Sequence, residues 1–444
     1  MIESLLIANR GEIARRVIRT AKRLGIRSIA VHSEADAGMP FVVEADQAVC
    51  VGPANPAQSY RNAEAIIAAA KSTGAQAIHP GYGFLSENAD FARTVEDNGL
   101  VWVGPGADAI RAMGDKINAR NLMAAAGVPV APGTQDPAAS VAAALEAAEA
   151  IGYPVMVKAA AGGGGMGMAV AGDEAVLRTE YDKVRAFAER MFGDGSVLIE
   201  RYFPRVRHVE VQILGLADGR VVALSERECS VQRRNQKLVE EAPSPAVGPE
   251  LRARLLAAAV KAGEAVGYRN AGTVECLLDP ATGEFFFLEM NTRLQVEHPI
   301  TELIHGTDLV EQQLRIASGL APSFAADRPT SGHAIELRIN AEDPKRFLPG
   351  PGKVATWVEP TGAGVRVDSG YGPGTTVTPF YDSLMAKLIV YGTDRADAIA
   401  KARAAVAGFE IAGPKNNLPF FAELLDNPEF VSGDYDTGIV ARMR

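Results

Sequence analysis

Glu289-Met290-Asn291-Thr292-Arg293-Leu294-Gln295-Val296-Glu297-His298 ends a pair of apolar runs, 273–278 and 285–290. The runs are joined by Asp279-Pro280-Ala281-Thr282-Gly283-Glu284, and the arrangement reads as a β-hairpin. In an extended chain alternate residues share a face, so Glu289, Asn291 and Arg293 project together. Glu275 on the first strand lies roughly opposite Glu289. Two carboxylates and an amide oxygen are hard oxygen ligands of the kind magnesium takes while it also holds a nucleotide's phosphates. A solvated polar face on an amphipathic strand is the other reading of the same pattern.

Upstream, Val155-Met156-Val157-Lys158 reads as a strand, and Gly162 to Gly165 and Gly167 follow it. Such a run lets backbone N–H groups approach phosphate oxygens without a Cβ in the way, and the strand lysine adds a point charge. No Gly-Lys-Ser/Thr follows, so this is a phosphate lid of another kind than a Walker A loop. Lys116, after a Gly-Asp turn, is a second candidate phosphate ligand, and taken alone it reads as an ordinary surface lysine. Arg205-Val206-Arg207-His208-Val209-Glu210 and Gln232-Arg233-Arg234-Asn235-Gln236-Lys237 are cationic clusters that suit an anionic substrate, or else an exposed basic edge strand.

Toward the N-terminus, Leu5-Leu6-Ile7-Ala8, a turn, a helical run to Leu24 and a second apolar run from Ser28 open a parallel α/β unit. The G-x-G-x-x-G spacing of a dinucleotide site is absent. His79-Pro80-Gly81-Tyr82-Gly83 and Gly104-Pro105-Gly106 are turns that end further strands and could serve as substrate loops. Then come a helix over 116–126, a Gly/Pro linker over 128–133, an alanine-rich helix over 138–150, a strand-dominated stretch over 153–216 and a helix over 250–266. A Pro/Ala-rich boundary at 321–330 precedes short glycine-rich strands and terminal helical pieces.

The 444 residues, 47% hydrophobic, can bury a core large enough for two to four domains. A net charge of -9 argues against a nucleic-acid partner, which needs a basic face. Cys50, Cys229 and Cys276 are far apart with no C-x-x-C pair, and the apolar run at the N-terminus is too short for a signal peptide or membrane span. A soluble, cytoplasmic protein is expected.

The lysine, glycine loop and glutamate hairpin together resemble the ATP-grasp superfamily. Four strings are similar to the biotin carboxylase family: Ile-Ala-Asn-Arg-Gly-Glu-Ile-Ala from Ile7, His-Pro-Gly-Tyr-Gly-Phe-Leu-Ser-Glu-Asn from His79, Glu-Met-Asn-Thr-Arg-Leu-Gln-Val-Glu-His-Pro from Glu289 and Arg-Ile-Asn-Ala-Glu-Asp from Arg338. The resemblance implies a Rossmann-like α/β domain over 1–114, an ATP-grasp domain over 115–328 with a lid at about 131–203, and a β-rich domain over 329–444. It implies ATP contacts from Lys116, Lys158, Gly163, Gly164, Gly165, Met168, Glu200, Tyr202, Phe203, His208, Gln232, Asn235, Leu277 and Glu289. Glu275, Glu289 and Asn291 would hold magnesium or manganese. Lys237, Arg293, Gln295, Val296 and Glu297 would hold bicarbonate, with Glu297 as base and Arg338 against biotin.

The chain departs from the family where Met166 and Ala169 replace basic residues, where Asn235 replaces a histidine, and where Arg23 and Ala363 replace a glutamate and a phenylalanine of a dimer face that keeps Arg16, Arg19 and Arg366. Arg19 and Arg23 at i, i+4 would repel. Met385-Ala386-Lys387-Leu388 has the wrong order for a biotinylated lysine, so Lys387 reads as an ordinary strand residue. The resemblance therefore implies biotin borne on a separate carrier protein, carboxyltransferase subunits of an acetyl-CoA or acyl-CoA carboxylase as further partners, and a homodimer. A urea or other specialised carboxylase component, or a regulatory paralogue without turnover, are the competing readings. Lys237→Ala and Glu297→Ala are expected to lose turnover while keeping the fold.

Overall fold

The computed structural model describes residues 1–160, 167–325 and 329–444. The N-terminal strands β1 (Ser4–Ile7), β2 (Arg27–Ser33), β3 (Gln47–Gly52), β4 (Ala77–His79) and β5 (Val101–Trp102) form a parallel sheet in the order β3-β2-β1-β4-β5. Leu5, Leu6 and Ile7 are wholly buried, as a strand covered on both faces requires. The helix Gly11–Arg23 buries Ile13, Ala14, Val17, Ile18 and Ala21, the stripe that its 3.6-residue period places inward. Strand order reverses between β1 and β4, so the loops after them diverge and leave a crevice at the carboxyl ends. Asn9 ties the two loops by donating to the carbonyls of Pro80 and Tyr82, each at 2.7 Å. Gly81 has φ +64°, and a Cβ there would come within 2.8 Å of Asn9, so this close approach requires glycine.

A second sheet is small: β6 (Val155–Ala159), β7 (Met168–Ala171) and β8 (Val197–Arg201), in the order β7-β6-β8. It has its own core with the helices Val141–Ile151 and Glu174–Phe192. The 19-residue helix Glu174–Phe192 corrects the reading of 153–216 as mostly strand: Leu177, Tyr181, Val184 and Ala188 recur at helical spacing, and Asp173 caps it by accepting from the Val176 amide.

The third sheet joins the rest. Its strands are β9 (Arg207–Gly215), β10 (Val221–Arg233), β11 (Gln236–Ala242), β12 (Asn270–Asp279), β13 (Glu284–Asn291), β14 (His333–Asn340), and, beyond the short β15 (Gly352–Lys353) and β16 (Thr356–Val358), β17 (Val365–Ser369). After the short β18 (Thr376–Val377) comes β19 (Leu384–Gly392), and β20 (Glu410–Ala412) pairs with β16. The order is β13-β12-β9-β10-β11-β14-β19-β17, antiparallel throughout. All nine residues of β9 are buried, because it lies inside the sheet with the helix Pro249–Ala265 packed on it. Arg207 and His208 are therefore interior residues, and the edge-strand reading of that basic cluster is wrong. One hydrophobic core runs from Leu5 and Ile7 through Leu214 and Ile335 to Leu388 and Phe420.

Two further expectations change. Lys387 is no ordinary lysine: it is wholly buried in β19, 3.1 Å from the Glu12 carboxylate, and donates to the Val296 carbonyl at 2.9 Å. Arg19 and Arg23 do not simply repel, because each has its own acid: Asp368 for Arg19, and Asp308 with Glu311 for Arg23.

Glu241 on β11 fastens the far end of the sheet. It accepts from Arg395 (2.7 and 3.0 Å) and from the Tyr435 hydroxyl (2.5 Å), and meets His333 Nε2 at 2.6 Å. Burial opposes its ionisation, but His333 and Arg395 prevail and hold it at about 2. A depressed carboxylate adds stability that is whole above the ordinary carboxylate range and fades as pH falls toward 2. Glu241→Gln should cost about 3 kcal/mol at pH 7, read as a lower thermal midpoint. The gap to the parent should narrow between pH 5 and pH 3, and a pH-independent gap would contradict this assignment.

Candidate functional site

Sheet register builds the site. Glu289 on β13 faces Glu275 on β12, Glu275 faces Glu210 on β9, and Glu210 faces Arg227 on β10. Directly opposed residues share a face, so three carboxylates and a guanidinium form one row across four strands. Lys237, near the start of β11, reaches into this row. Its Nζ lies 2.5 Å from Glu210, 2.7 Å from Glu275 and 2.8 Å from Glu297. At an effective dielectric of about 20 each contact is worth about 6 kcal/mol of attraction, set against several kcal/mol of desolvation per ion. Strand pairing holds Glu210, Glu275 and Lys237, and Glu297 sits at the start of the next helix.

Glu297 stands just ahead of the helix His298–His305, and its second oxygen is 2.9 Å from Arg338 on β14. Burial disfavours its charge, yet Lys237, Arg338 and Arg227 outweigh this and hold it well below the usual carboxylate range. Glu275 is depressed in the same way by Lys237 and His208, whose Nε2 is 3.1 Å away. Gln232 fixes the ring from behind, its Nε2 2.9 Å from His208 Nδ1. Arg293 donates to Asn291 (2.9 Å), Gln295 (2.8 Å) and Glu87 (2.9 Å), and Gln295 donates to Glu275 at 3.0 Å. The predicted Lys237, Glu275, Asn291, Arg293, Gln295, Glu297 and Arg338 are thus one connected group.

All of these but the buried Glu297 line a cleft of about 560 Å³, together with Glu289, His208, Asn235 and Val296. Its opposite wall is the loops after β1 and β4: Arg10, Glu12, Tyr82 and Phe84. Asn235 owes its place to the backbone. Arg234 and Asn235 both have positive φ, at 50° and 65°, and form the two-residue turn between β10 and β11, a conformation asparagine tolerates well.

Glu289 makes no hydrogen bond or ion pair among the described residues. Burial and then the charge of Glu275 push its carboxyl up, while Lys116 draws it down. Two facing carboxylates, one lacking a cation of its own, fit a divalent ion, and the Asn291 amide, already bonded to Arg293, adjoins them.

The other predicted nucleotide residues lie toward the small sheet. Lys158 and Glu200 on β6 and β8 form an ion pair, and Met168 is the register partner of Lys158. Lys116 is half-buried, not an ordinary surface lysine; burial lowers its proton affinity, and its charge acts on Glu289. Tyr202 binds the Pro154 carbonyl through its amide, Phe203 stacks on Phe286 at 4.9 Å, and Leu277 is the register partner of Phe286. None of these residues lines the cleft itself. Gly163, Gly164, Gly165 and Met166 lie outside the described residues. Ala169 packs against the small sheet's core.

Sequence reasoning missed Arg227 and Glu240, and left Glu210, Glu87, Arg10, Glu12, Tyr82 and Phe84 without roles. The period-two pattern of β9 placed Glu210 on one face with His208 and Gln212, which was the available signal.

Three family profiles match: "Biotin carboxylase, N-terminal domain" over 1–110, "Carbamoyl-phosphate synthase L chain, ATP binding domain" over 115–322 and "Biotin carboxylase C-terminal domain" over 336–442. The biotin carboxylase of Haemophilus influenzae is 51% identical across 98% of this chain and 97% of its own. A pyruvate carboxylase subunit of Methanothermobacter thermautotrophicus is 49% identical across 100% of this chain and 90% of its own. The solved biotin carboxylase domain dimer of Hydrogenobacter thermophilus 2-oxoglutarate carboxylase, in complex with MgADP, ADP and bicarbonate, superposes with a TM-score of 0.95 at 43% identity, over 100% of this chain and 98% of that one.

The geometry alters one expectation. Lys237 is the single ammonium among three buried carboxylates, so its loss leaves uncompensated charge and should cost about 3–5 kcal/mol. Lys237→Gln should melt well below the parent, whereas Glu297→Gln, which leaves Lys237 two carboxylates, should melt close to it. Equal midpoints for Lys237→Gln and parent in thermal denaturation would contradict the hub role.

Proposed function

Because the chain belongs to the biotin carboxylase family, an ATP-dependent ligase family, we propose that it carboxylates biotin borne on a separate carrier protein, using ATP, magnesium and bicarbonate. The observation that carries this reading is the joint hold of Lys237 and Arg338 on Glu297 beside Arg293 and Gln295.

Arg293, Lys237, Gln295 and the Val296 backbone bind the bicarbonate anion. An anion there shares the cations that otherwise depress Glu297, so the carboxylate's proton affinity rises as the substrate arrives. Glu297 then takes the bicarbonate proton while the bicarbonate oxygen attacks the γ-phosphorus and ADP leaves. Glu275 and Glu289, with Asn291, would hold magnesium or manganese, which supplies positive charge to the transferring phosphoryl oxygens. Lys116 and Lys158 add their charges from the lid side. The resulting carboxyphosphate breaks into CO2 and phosphate, phosphate takes the ureido N–H proton of biotin, and the nitrogen attacks CO2. Arg338 stabilises the negative charge on the ureido oxygen meanwhile. The small sheet closes over a reactive acyl phosphate that water would destroy.

His208, Gln232 and the apolar patch of Phe203, Phe286 and Leu277 bind the nucleotide. Acetyl-CoA or another acyl-CoA carboxylase supplies the carboxyltransferase partners, in the cytoplasm. No helix among the described residues is long and apolar enough to cross a membrane. The chain forms a homodimer through the face bearing Arg19 and Arg366, where Ala363 is exposed. Arg16 is buried within its own chain against Glu302 and Asp308, and Arg23 is satisfied by its own Asp308 and Glu311.

Release of ADP from ATP should require bicarbonate and rise on adding free biotin. Glu297→Gln should lower the rate by about 100-fold or more, and Glu289→Gln should raise the magnesium concentration needed for half-maximal rate about tenfold. ADP release indifferent to bicarbonate and biotin would overturn the reading.

A further inference from the structure

Behind Arg338 lie two carboxyl groups that the mechanism above does not use. Glu240 on β11 and Glu336 on β14 are register partners in the middle of the large sheet, and both are wholly buried. Neither oxygen of Glu336 has a hydrogen-bond partner among the described residues. The Glu240 oxygens likewise have no hydrogen bond there, but one of them forms an ion pair at 2.5 Å with Arg338 Nη2, the same nitrogen that lies 2.9 Å from Glu297. The remaining charged groups facing the pair are Lys237 on β11, Lys387 on β19 and Glu297 itself. Lys387 is engaged by Glu12 and the Val296 carbonyl, and Lys237 by its three acids.

Arg338 is thus held from two sides by carboxylates with different fates. Glu297 becomes neutral when it takes the bicarbonate proton, and its grip on Arg338 weakens at the moment biotin must find that guanidinium in place. Glu240 is not itself a lining residue of the cleft, which it meets through Arg338, and it takes part in no proton transfer of the mechanism above.

Resting on the reading of Arg338 as the group that meets biotin, we propose that Glu240 is a positioning residue that holds Arg338 through the neutralisation of Glu297. In the same proposal Glu336 keeps a proton so that Glu240 keeps its charge. Two opposed carboxylates served by one guanidinium cannot both be ionised in a dry interior without a large penalty. Consistent with this, burial pushes Glu240 up to about 7 against the pull of Arg338, and raises Glu336 well above the ordinary carboxylate range. Of the two, Glu240 is the one paired with the arginine.

The test uses the full chain and separates two activities. In Glu240→Gln, bicarbonate-dependent ATP cleavage without biotin should stay within about threefold of the parent. Carboxylation of free biotin should fall at least tenfold, with a raised KM for biotin and an unchanged KM for ATP. Equal loss of both activities, or loss of neither, overturns the positioning role. The proton on Glu336 is read independently by infrared difference spectroscopy of parent against Glu336→Gln: a carbonyl band of a buried protonated carboxylic acid, present in the parent at pH 8, should be lost in the variant. A parent without that band overturns this part of the proposal. A parent that shows the band but never carboxylates biotin would instead sink the functional reading.

Discussion

The ammonium of Lys237, set among Glu210, Glu275 and Glu297, is the interaction on which the rest of the site depends. Three carboxylates gathered in a dry sheet interior would force each other apart or take up protons. One lysine with three donors satisfies all three, and Arg227 and Arg338 balance the remainder from either side. The result is a set of buried acids kept ionised, beside which Glu289 faces Glu275 with no ion pair of its own among the described residues. A cation, and beyond it an anionic substrate, complete what the protein leaves unbalanced.

The sheet is what makes such a cluster affordable in conformational terms. Glu210, Glu275, Lys237, Arg227 and Arg338 are fixed by backbone pairing and Glu297 by the helix that follows it, so little freedom remains to be lost on binding. The row from Glu289 to Arg227 follows from register alone, and a slip of one residue in any of the four strands would turn its member to the other face. The Rossmann-like unit contributes the opposite wall through the loops at its switch point, and the small sheet stands over the nucleotide side. The N-terminal unit and the large sheet therefore meet at one cleft and share one large core, whereas the small sheet keeps a core of its own.

Much of this was legible locally. The hairpin turn, the facing of Glu275 and Glu289 and the first strand-turn-helix unit all depend on residues near one another in sequence, where period and turn chemistry speak directly. Glu210, Arg227, Glu240 and Glu336 were not legible, because their meaning lies in which strands become neighbours, and no local pattern states that β9 sits between β12 and β10. Lys387 looked ordinary for the same reason: its partner Glu12 is hundreds of residues away. The helix Glu174–Phe192 was a different failure, since Leu177, Tyr181, Val184 and Ala188 carry the helical period plainly, and the strands flanking it drew the whole stretch into the wrong class.

The central claim is that the charge cluster carries bicarbonate's carbon to biotin by way of ATP cleavage. The most direct measurement follows isotope-labelled bicarbonate into biotin while ADP is counted in the same reaction. The account predicts labelled carboxybiotin formed only with ATP and magnesium present, in an amount that never exceeds the ADP released, and none from Glu297→Gln. ADP release that bicarbonate and biotin stimulate, but with no label ever reaching biotin, would contradict it.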